Sequence, residues 1–519
     1  MKPSSRNTRF CNAGAAFLDA NGAFAKQGHL TSLLGELDEI ANELATDEDL
    51  RQSMGVEQPS IWSISDRLWT FIASNLSTDE YEANMLCLIP STARFTRNLV
   101  AGVPHNQQKA YQAEPQIRSS IHRYTSWAAI QEVKTFPVTR ILVQALSNIV
   151  TGNEELITTF WNCYTNLPEE QGILTRLIAS PDPRTVLYTL VLIVNCIHEN
   201  KQRSVKFTDT SVGARICISL LDRMVTLYDA EEMSDDAKAF DYGYHLFAHL
   251  FDQGFAPDLY DRLSVSGEII APHQTTLLKL LDSHLQSSHS PSIHAQLCPM
   301  LSTRFFGLST YARQSIKRAL GSSLSDVSES RTEGPPQELD LLLPKVCEAL
   351  VLVTQCIVTI TLSSEAVRMD RMSEDDLQGA FNNARSPIEL LQLLDRFLPR
   401  INFGKAMPTT SVENAPSLPA VDTIGFSYLK RDLVRLLGIL CHGNIAIQNC
   451  IRIRGGIPVI MNLCVVDDRN PYLREHAILT LHNLLEGNAE NQAVVNSIQP
   501  SAEWDENGVL REKAGVTRK

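Results

Sequence analysis

The sequence predicts an all-α protein, an armadillo/HEAT-like helical repeat solenoid of elongated or curved shape with no β-sheet. Three observations carry that prediction. A ten-residue pattern appears near both ends of the chain, its copies recur at steps of 44 to 50 residues, and each copy closes an apolar stripe of helical period.

The pattern is Asn-Leu-x-x-Gly-x-x-x-Asn-Gln, complete from Asn98 to Gln107 and again from Asn483 to Gln492. Asn148 to Asn153 keeps its first half. Asn195 to Asn200 has Glu199 where the others have Gly, and Ile439 to Asn444 keeps Gly443 but replaces the leading Asn. The steps are 50 residues from Asn98 to Asn148, 47 to Asn195, and 44 from Ile439 to Asn483. They fall near the upper edge of the armadillo and HEAT range, where two or three helices make one repeat of ~40–47 residues.

The elements follow from local chemistry. Arg474 to Leu485 carries Ala477, Ile478, Leu481, Leu484 and Leu485 as one helical stripe. Pro471 precedes it, where a missing N–H is harmless, and Gly487 follows it, where a left-handed residue ends a helix. Asn488 to Ile498 restarts as a short helix. Upstream, Asp432 to Leu440 and Ile445 to Arg454 read as helices, Gly455-Gly456 breaks the chain, and Pro458 opens Val459 to Val465. Short helices cannot bury their stripes alone, so neighbouring repeats must supply the core.

This gives a helical cap region with a flexible start at 1–59 and armadillo-like repeats at 60–320. A linker at 321–336, helical repeats at 337–400 and a polar loop at 401–423 follow. A terminal repeat block spans 424–500, and a tail 501–519. From Arg203 to Arg400 no clean Asn-Gly mark appears, and the repeat assignment there is an extrapolation.

Composition narrows the function. The 519 residues carry a formal net charge of -13, with no concentrated run of Lys and Arg. That excludes a nucleic-acid backbone as the main partner. The 11 cysteines form no CxxC pair and sit largely in apolar runs, as reduced, core-filling thiols do. The apolar stretch after Asn12 is too short for a signal-peptide core, and no uninterrupted apolar span reaches the ~20 residues a bilayer needs. Val351 to Leu362, interrupted by Gln355, reads as a core helix. The expected location is the cytoplasm, without a membrane partner.

A family resemblance then becomes visible. Phe426 to Gly438, Arg454-Gly455-Gly456-Ile457-Pro458, Asp467 to Glu475, and Asn483 to Asn488 stand in fixed order over about 75 residues. Together they resemble the C-terminal ataxin-10 domain, at about 424–500. The tail through Trp504-Asp505-Glu506 is similar to that of the fungal members, and Tyr244 to Phe251 with Pro257 to Tyr260 resembles the family's central helix pair. The resemblance implies an armadillo-like fold, a cytoplasmic location and a role in cytokinesis.

Enzyme chemistry finds no foothold in the motifs. His245 and His249 are spaced i, i+4, but Leu246 stands where a zincin needs Glu, and no third ligand clusters with them. Cys441 and His442 are adjacent on a helix end and diverge. Gly455-Gly456 has neither the Lys-Ser/Thr nor the βαβ setting of a phosphate cradle. No catalytic residue, metal or cofactor is expected, and an enzyme site would have to hide in 203–400.

The expected function is a non-enzymatic protein-protein interaction scaffold. In armadillo repeats an Asn near the end of the third helix can hydrogen-bond an extended peptide, and Asn98, Asn148, Asn195 and Asn483 match that place. The other reading is local capping of the helix end. The residues four earlier are Arg94, Gln144, Val191 and Leu479, so the aromatic lysine slots of nuclear-import adaptors are absent. A second docking candidate is the basic group of the terminal block: Lys430, Arg431, Arg435, Arg452, Arg454, Arg474, His476 and His482, with Arg435, Arg454 and Arg474 as its key members. Ordinary solvation of helices competes with that reading. Another protein and a second copy of the chain both fit as partner. A homo-oligomeric adaptor without a cell-division role is the alternative.

Overall fold

The computed structural model describes residues 5–19, 27–76, 82–287, 290–320, 340–365, 387–398, 400–402, 405–406, 426, 428–498, 502–504 and 510–512. Nearly all of these are helical, and the chain divides into two compact units, Met1–Leu263 and Ser264–Lys519. The linker 321–336 lies outside the described residues. So does the polar loop 401–423, apart from its first few residues.

The first unit is a ladder. Gln27–Leu44, Glu82–Val100, Phe136–Val150, Pro183–Ile197 and Asp235–Asp252 pack each on the next. Between successive rungs run two shorter helices, such as Glu154–Tyr164 and Ile173–Ile178. Each rung is thus the third helix of a repeat. Local sequence sets the starts. Asn153 Oδ1 accepts from the Leu156 amide at 3.3 Å, Asn200 from Arg203 at 3.1 Å and Asp182 from Thr185 at 2.9 Å, each supplying one of the donors a helix start leaves unsatisfied. Proline occupies an early position in Pro104–Ala110, Phe136–Val150 and Pro183–Ile197. The rungs bury Leu99, Leu142, Leu146, Ile149, Ile193 and Leu250.

The second unit opens on longer helices, Pro272–Ser287, Pro291–Ala319 and Leu343–Glu365, which lack the short-helix format. Leu343–Glu365 is long and apolar enough to span a bilayer by composition, yet it packs against both preceding helices and Leu429–Cys441. Val346, Cys347, Leu350, Val353 and Cys356 are fully buried in that packing. It is a core helix. The repeat format then returns with Leu429–Cys441, Ile445–Ile453, Gly456–Leu463, Leu473–Leu485 and Ala489–Ser497. Strand occurs among the described residues only as two antiparallel pairs, Ile401–Asn402 with Lys405–Ala406 and Ala502–Trp504 with Leu510–Glu512. These correct the expectation of no sheet. Each is a two-stranded ribbon of two or three residue pairs that needs no layer of its own.

Between a rung and the next short helix the chain makes one turn, repeated five times. At the last copy Glu486 has φ -63° and ψ 121°, Gly487 has φ 65°, and the Asn488 amide donates to the Leu485 carbonyl at 3.3 Å. That is a type II turn, with the residue needing positive φ at its third position. Gly102, Gly152 and Gly443 repeat it, and Glu199 holds φ 53° in the place where glycine is missing. A Cβ on Gly487 would meet nothing within 4 Å. Gly487→Ala should therefore lose only the backbone term, ~1 kcal/mol, and Glu199→Gly should recover a similar amount. Thermal unfolding of both variants checks the turn: equal and opposite shifts are expected, and a silent Gly487→Ala would rule it out.

Candidate functional site

Nucleophile and metal chemistry can be read directly. Every cysteine is a free thiol, and burial pushes Cys217 and Cys441 up to about 12. A thiol held protonated at neutral pH is a packing group, not a nucleophile. His249 stands 2.7 Å from the Gln253 side-chain nitrogen, while His245 is exposed. Among the described residues no three His, Cys, Asp or Glu side chains gather to hold a metal ion.

The repeat asparagines do something neither sequence reading anticipated. Asn98 Nδ2 donates to the Ala41 carbonyl at 2.7 Å, Asn148 to Arg97 at 3.0 Å and Asn483 to Gly438 at 3.0 Å. Each acceptor lies in the last turn of the preceding rung, where helix carbonyls run out of intrahelical partners, although Ala41 also accepts from the Ala45 amide at 3.2 Å. Asn195 reaches the Thr151 hydroxyl at 3.1 Å. The amide joins one repeat to the one before it. For an extended peptide, that leaves the second N–H and the oxygen of each asparagine amide, the Asn98 oxygen also accepting from Arg97 at 2.9 Å.

The end of the motif staples in the opposite direction. Gln107 donates to the Asn148 and Thr151 carbonyls at 2.9 and 2.8 Å, and Gln448 to the Asn483 carbonyl at 2.8 Å. These acceptors are carbonyls at the C-terminal end of the following rung. Asn106 and Asn491 each reach back seven residues, to Leu99 at 2.9 Å and Leu484 at 2.7 Å. Arg203 makes the same reach to Cys196. All five are buried. The ten-residue pattern is thus a polar zipper for helix ends that would otherwise be buried without partners.

Charge is consumed between rungs in the same way. Arg94 pairs with Asp38 at 2.8 Å, Arg140 donates to Asp182 at 2.8 Å, and Arg184 pairs with Asp235 at 2.6 Å. The basic group of the terminal block separates into two classes. Lys430 is buried, Arg431 pairs with Asp432 at 2.7 Å, and Arg452 is bound to Glu490. Arg435 is half-buried, Arg454 and Arg474 are exposed, and none of the three makes an ion pair among the described residues.

Arg435 lies in the field of Asp282, which burial and the nearby Asp432 raise to about 6, with Gln286 and Arg435 opposing. His476 is pulled down by burial, Arg435 and Arg431. Asp282 Oδ2 accepts from Gln286 at 2.9 Å, while its buried Oδ1 has no partner. With its folded value above the ordinary carboxylate value, the folded chain holds the extra proton between pH ~4 and ~6, so stability falls as pH rises through that window. Asp282→Asn should raise stability at pH 7 by about 1 kcal/mol, allowing for screening of a half-buried group, and should gain nothing at pH 4. Urea unfolding at both pH values reads this directly.

Known proteins are similar to parts of this chain. Residues 429–519 match the family model described as the spinocerebellar ataxia type 10 protein domain. The chain is 24% identical to the ataxin-10 of Xenopus tropicalis over 69% of this chain and 63% of that one. It is 40% identical to the ataxin-10 homolog of Dictyostelium discoideum over 17% of this chain and 15% of that one. It is 24% identical to the homolog of Candida glabrata over 28% of this chain and 31% of that one. The alignment spans less than two thirds of each relative's own length. A crystal structure of SYS-1 aligns over 93% of this chain and 100% of its own, at 11% identity and a TM-score of 0.35, too low for any argument.

Proposed function

We propose that this chain, which belongs to the ataxin-10 family, works as a non-enzymatic scaffold that binds other proteins through its terminal repeat block, Leu429–Ser497. One observation carries the reading. In a fold that spends its polar side chains on its own helix ends, Arg435, Arg454 and Arg474 make no ion pair among the described residues. Beside them Ile453 is 70% exposed and Tyr472 71%. Unspent cations next to exposed apolar side chains are what an interface core and rim require. An acidic partner segment with apolar anchors fits that surface. Capture of such a partner by the intact chain should fall at least tenfold with Arg435, Arg454 and Arg474 changed together to Ala. Circular dichroism should show the fold retained. Unchanged capture would move the site to the groove of Asn98, Asn148 and Asn195.

A cytoplasmic location and a role in cytokinesis rest on the family alone. Depletion of the protein with rescue by the wild type, but not by the triple variant, tests the second. Normal division after depletion would favour the adaptor reading without a cell-division role, including one as a homo-oligomer.

A further inference from the structure

The last described repeat shows an open stacking face. The residue five before the repeat asparagine, or before Ile439, is Ala93, Val143, Leu190 or Val434, and all four are 0% exposed. The following rung covers each of them. At the same place in Leu473–Leu485 stands Ile478, 49% exposed. Arg474 is exposed where Ile89, Val186 and Lys430 are buried, and Leu481 and Leu485 are half-exposed where Leu437 and Cys441 are buried. The zipper is also half-made. Gln492 repeats the Gln448 bond to its own repeat, reaching Leu485 at 2.8 Å where Gln448 reaches Cys441 at 3.2 Å. The forward bond that Gln107 and Gln448 make into the next rung has no counterpart at Gln492 among the described residues, and Gln492 is exposed. A terminal repeat that ends a stack ordinarily turns a polar face outward. This one offers Ile478, Leu481 and Leu485 beside a glutamine amide with an N–H to give.

We infer that this face receives the end of a helical repeat from a different protein, docking as the next rung of the stack. The interface already repeated inside the chain specifies the occupant. It is an apolar helix that brings an asparagine against the end of Leu473–Leu485, as Asn148 does against Arg97, and that has a C-terminal turn whose free carbonyls accept from Gln492. A second copy meets this poorly in either direction. Head to tail, the first rung Gln27–Leu44 is already covered by Arg6–Asp19, held by Arg6–Glu43 at 2.6 Å and Arg9–Glu39 at 3.1 Å. Face to face, a second copy would present the Ile478 face again, not the asparagine-bearing face that each following rung turns to its predecessor.

The inference deepens the scaffold reading; Arg474 belongs to both surfaces, and the tests separate because Arg435 and Arg454 lie outside this face while Ile478 and Gln492 lie outside the basic group. The probe is a helix-stabilised peptide of residues 136–153, the segment that Gln107 grips, with a solubilising lysine tail. Fluorescence anisotropy with the full chain should give saturable micromolar binding. Ile478→Asp should weaken it at least tenfold and Gln492→Ala severalfold, while a change at the exposed His245, His245→Ala, leaves it unchanged. Circular dichroism should show both variants folded. Absent binding, or equal binding by Ile478→Asp, overturns the inference. So does a dimer in sedimentation equilibrium that Ile478→Asp converts to monomer, since the face would then belong to a second copy.

Discussion

Replacing Gln448 by Ala is expected to destabilise the second unit by about 3 kcal/mol, while the same change at Gln492 costs under about 0.5. The residues are the same type at the same place in consecutive repeats. Gln448 is 1% exposed and donates to the carbonyls of Cys441 at 3.2 Å and Asn483 at 2.8 Å. Its own oxygen accepts from Asn488 Nδ2 at 3.1 Å. Deleting it strands the buried Asn483 carbonyl at a desolvation cost of about 1–3 kcal/mol and opens a void, while Cys441 keeps the Asn444 amide. Gln492 has water in place of a following repeat. Urea unfolding of the two variants measures the difference. Similar losses at both positions would show that amide-to-carbonyl stapling is not what holds one repeat to the next.

The ladder was legible because its parts are local. A turn with positive φ selects Gly, a helix start selects Asn, and both leave marks at fixed offsets even where Glu199 or Ile439 breaks the pattern. The direction of the asparagine amides was not legible. Their acceptors, Ala41, Arg97 and Gly438, are backbone atoms some fifty residues upstream, and a carbonyl carries no side-chain identity. The one available signal was the terminal Asn-Gln of the motif. A local cap does not need two amides eight and nine residues further on, whereas a staple in both directions does. The stripe of the last rung was half misread for the same reason. Ala477 and Leu484 face the core, but Ile478 faces the place of a repeat that does not follow among the described residues. Periodicity shows that a face is apolar and does not show what covers it. The middle of the chain left the format because helices such as Pro291–Ala319 and Leu343–Glu365 bury enough surface without it.

Lys430→Ala is expected to cost about 3–5 kcal/mol, although composition places Lys430 in a surface basic group. It sits nine residues before Ile439, the place taken by Ile89, Thr139 and Val186 in other repeats, and is 1% exposed. A lysine there survives because the chain builds partners around it. Nζ donates to the Leu398 carbonyl at 2.9 Å and lies 3.5 Å from Asp395. Burial still pulls the ammonium below its ordinary range, with Asp395 opposing. Truncation to Ala would leave that carboxylate with the Arg400 guanidinium 3.5 Å away, strand the Leu398 carbonyl and leave a cavity. Lys430→Met keeps the volume and removes the cost of burying a charge, so its loss should be the smaller, about 1–2 kcal/mol for the unpaired carbonyl. Chemical unfolding at neutral pH should rank wild type above Lys430→Met and both above Lys430→Ala. If Lys430→Ala stayed within about 1 kcal/mol of wild type, the side chain would be solvated as the sequence placed it, and the docking surface would regain a cation.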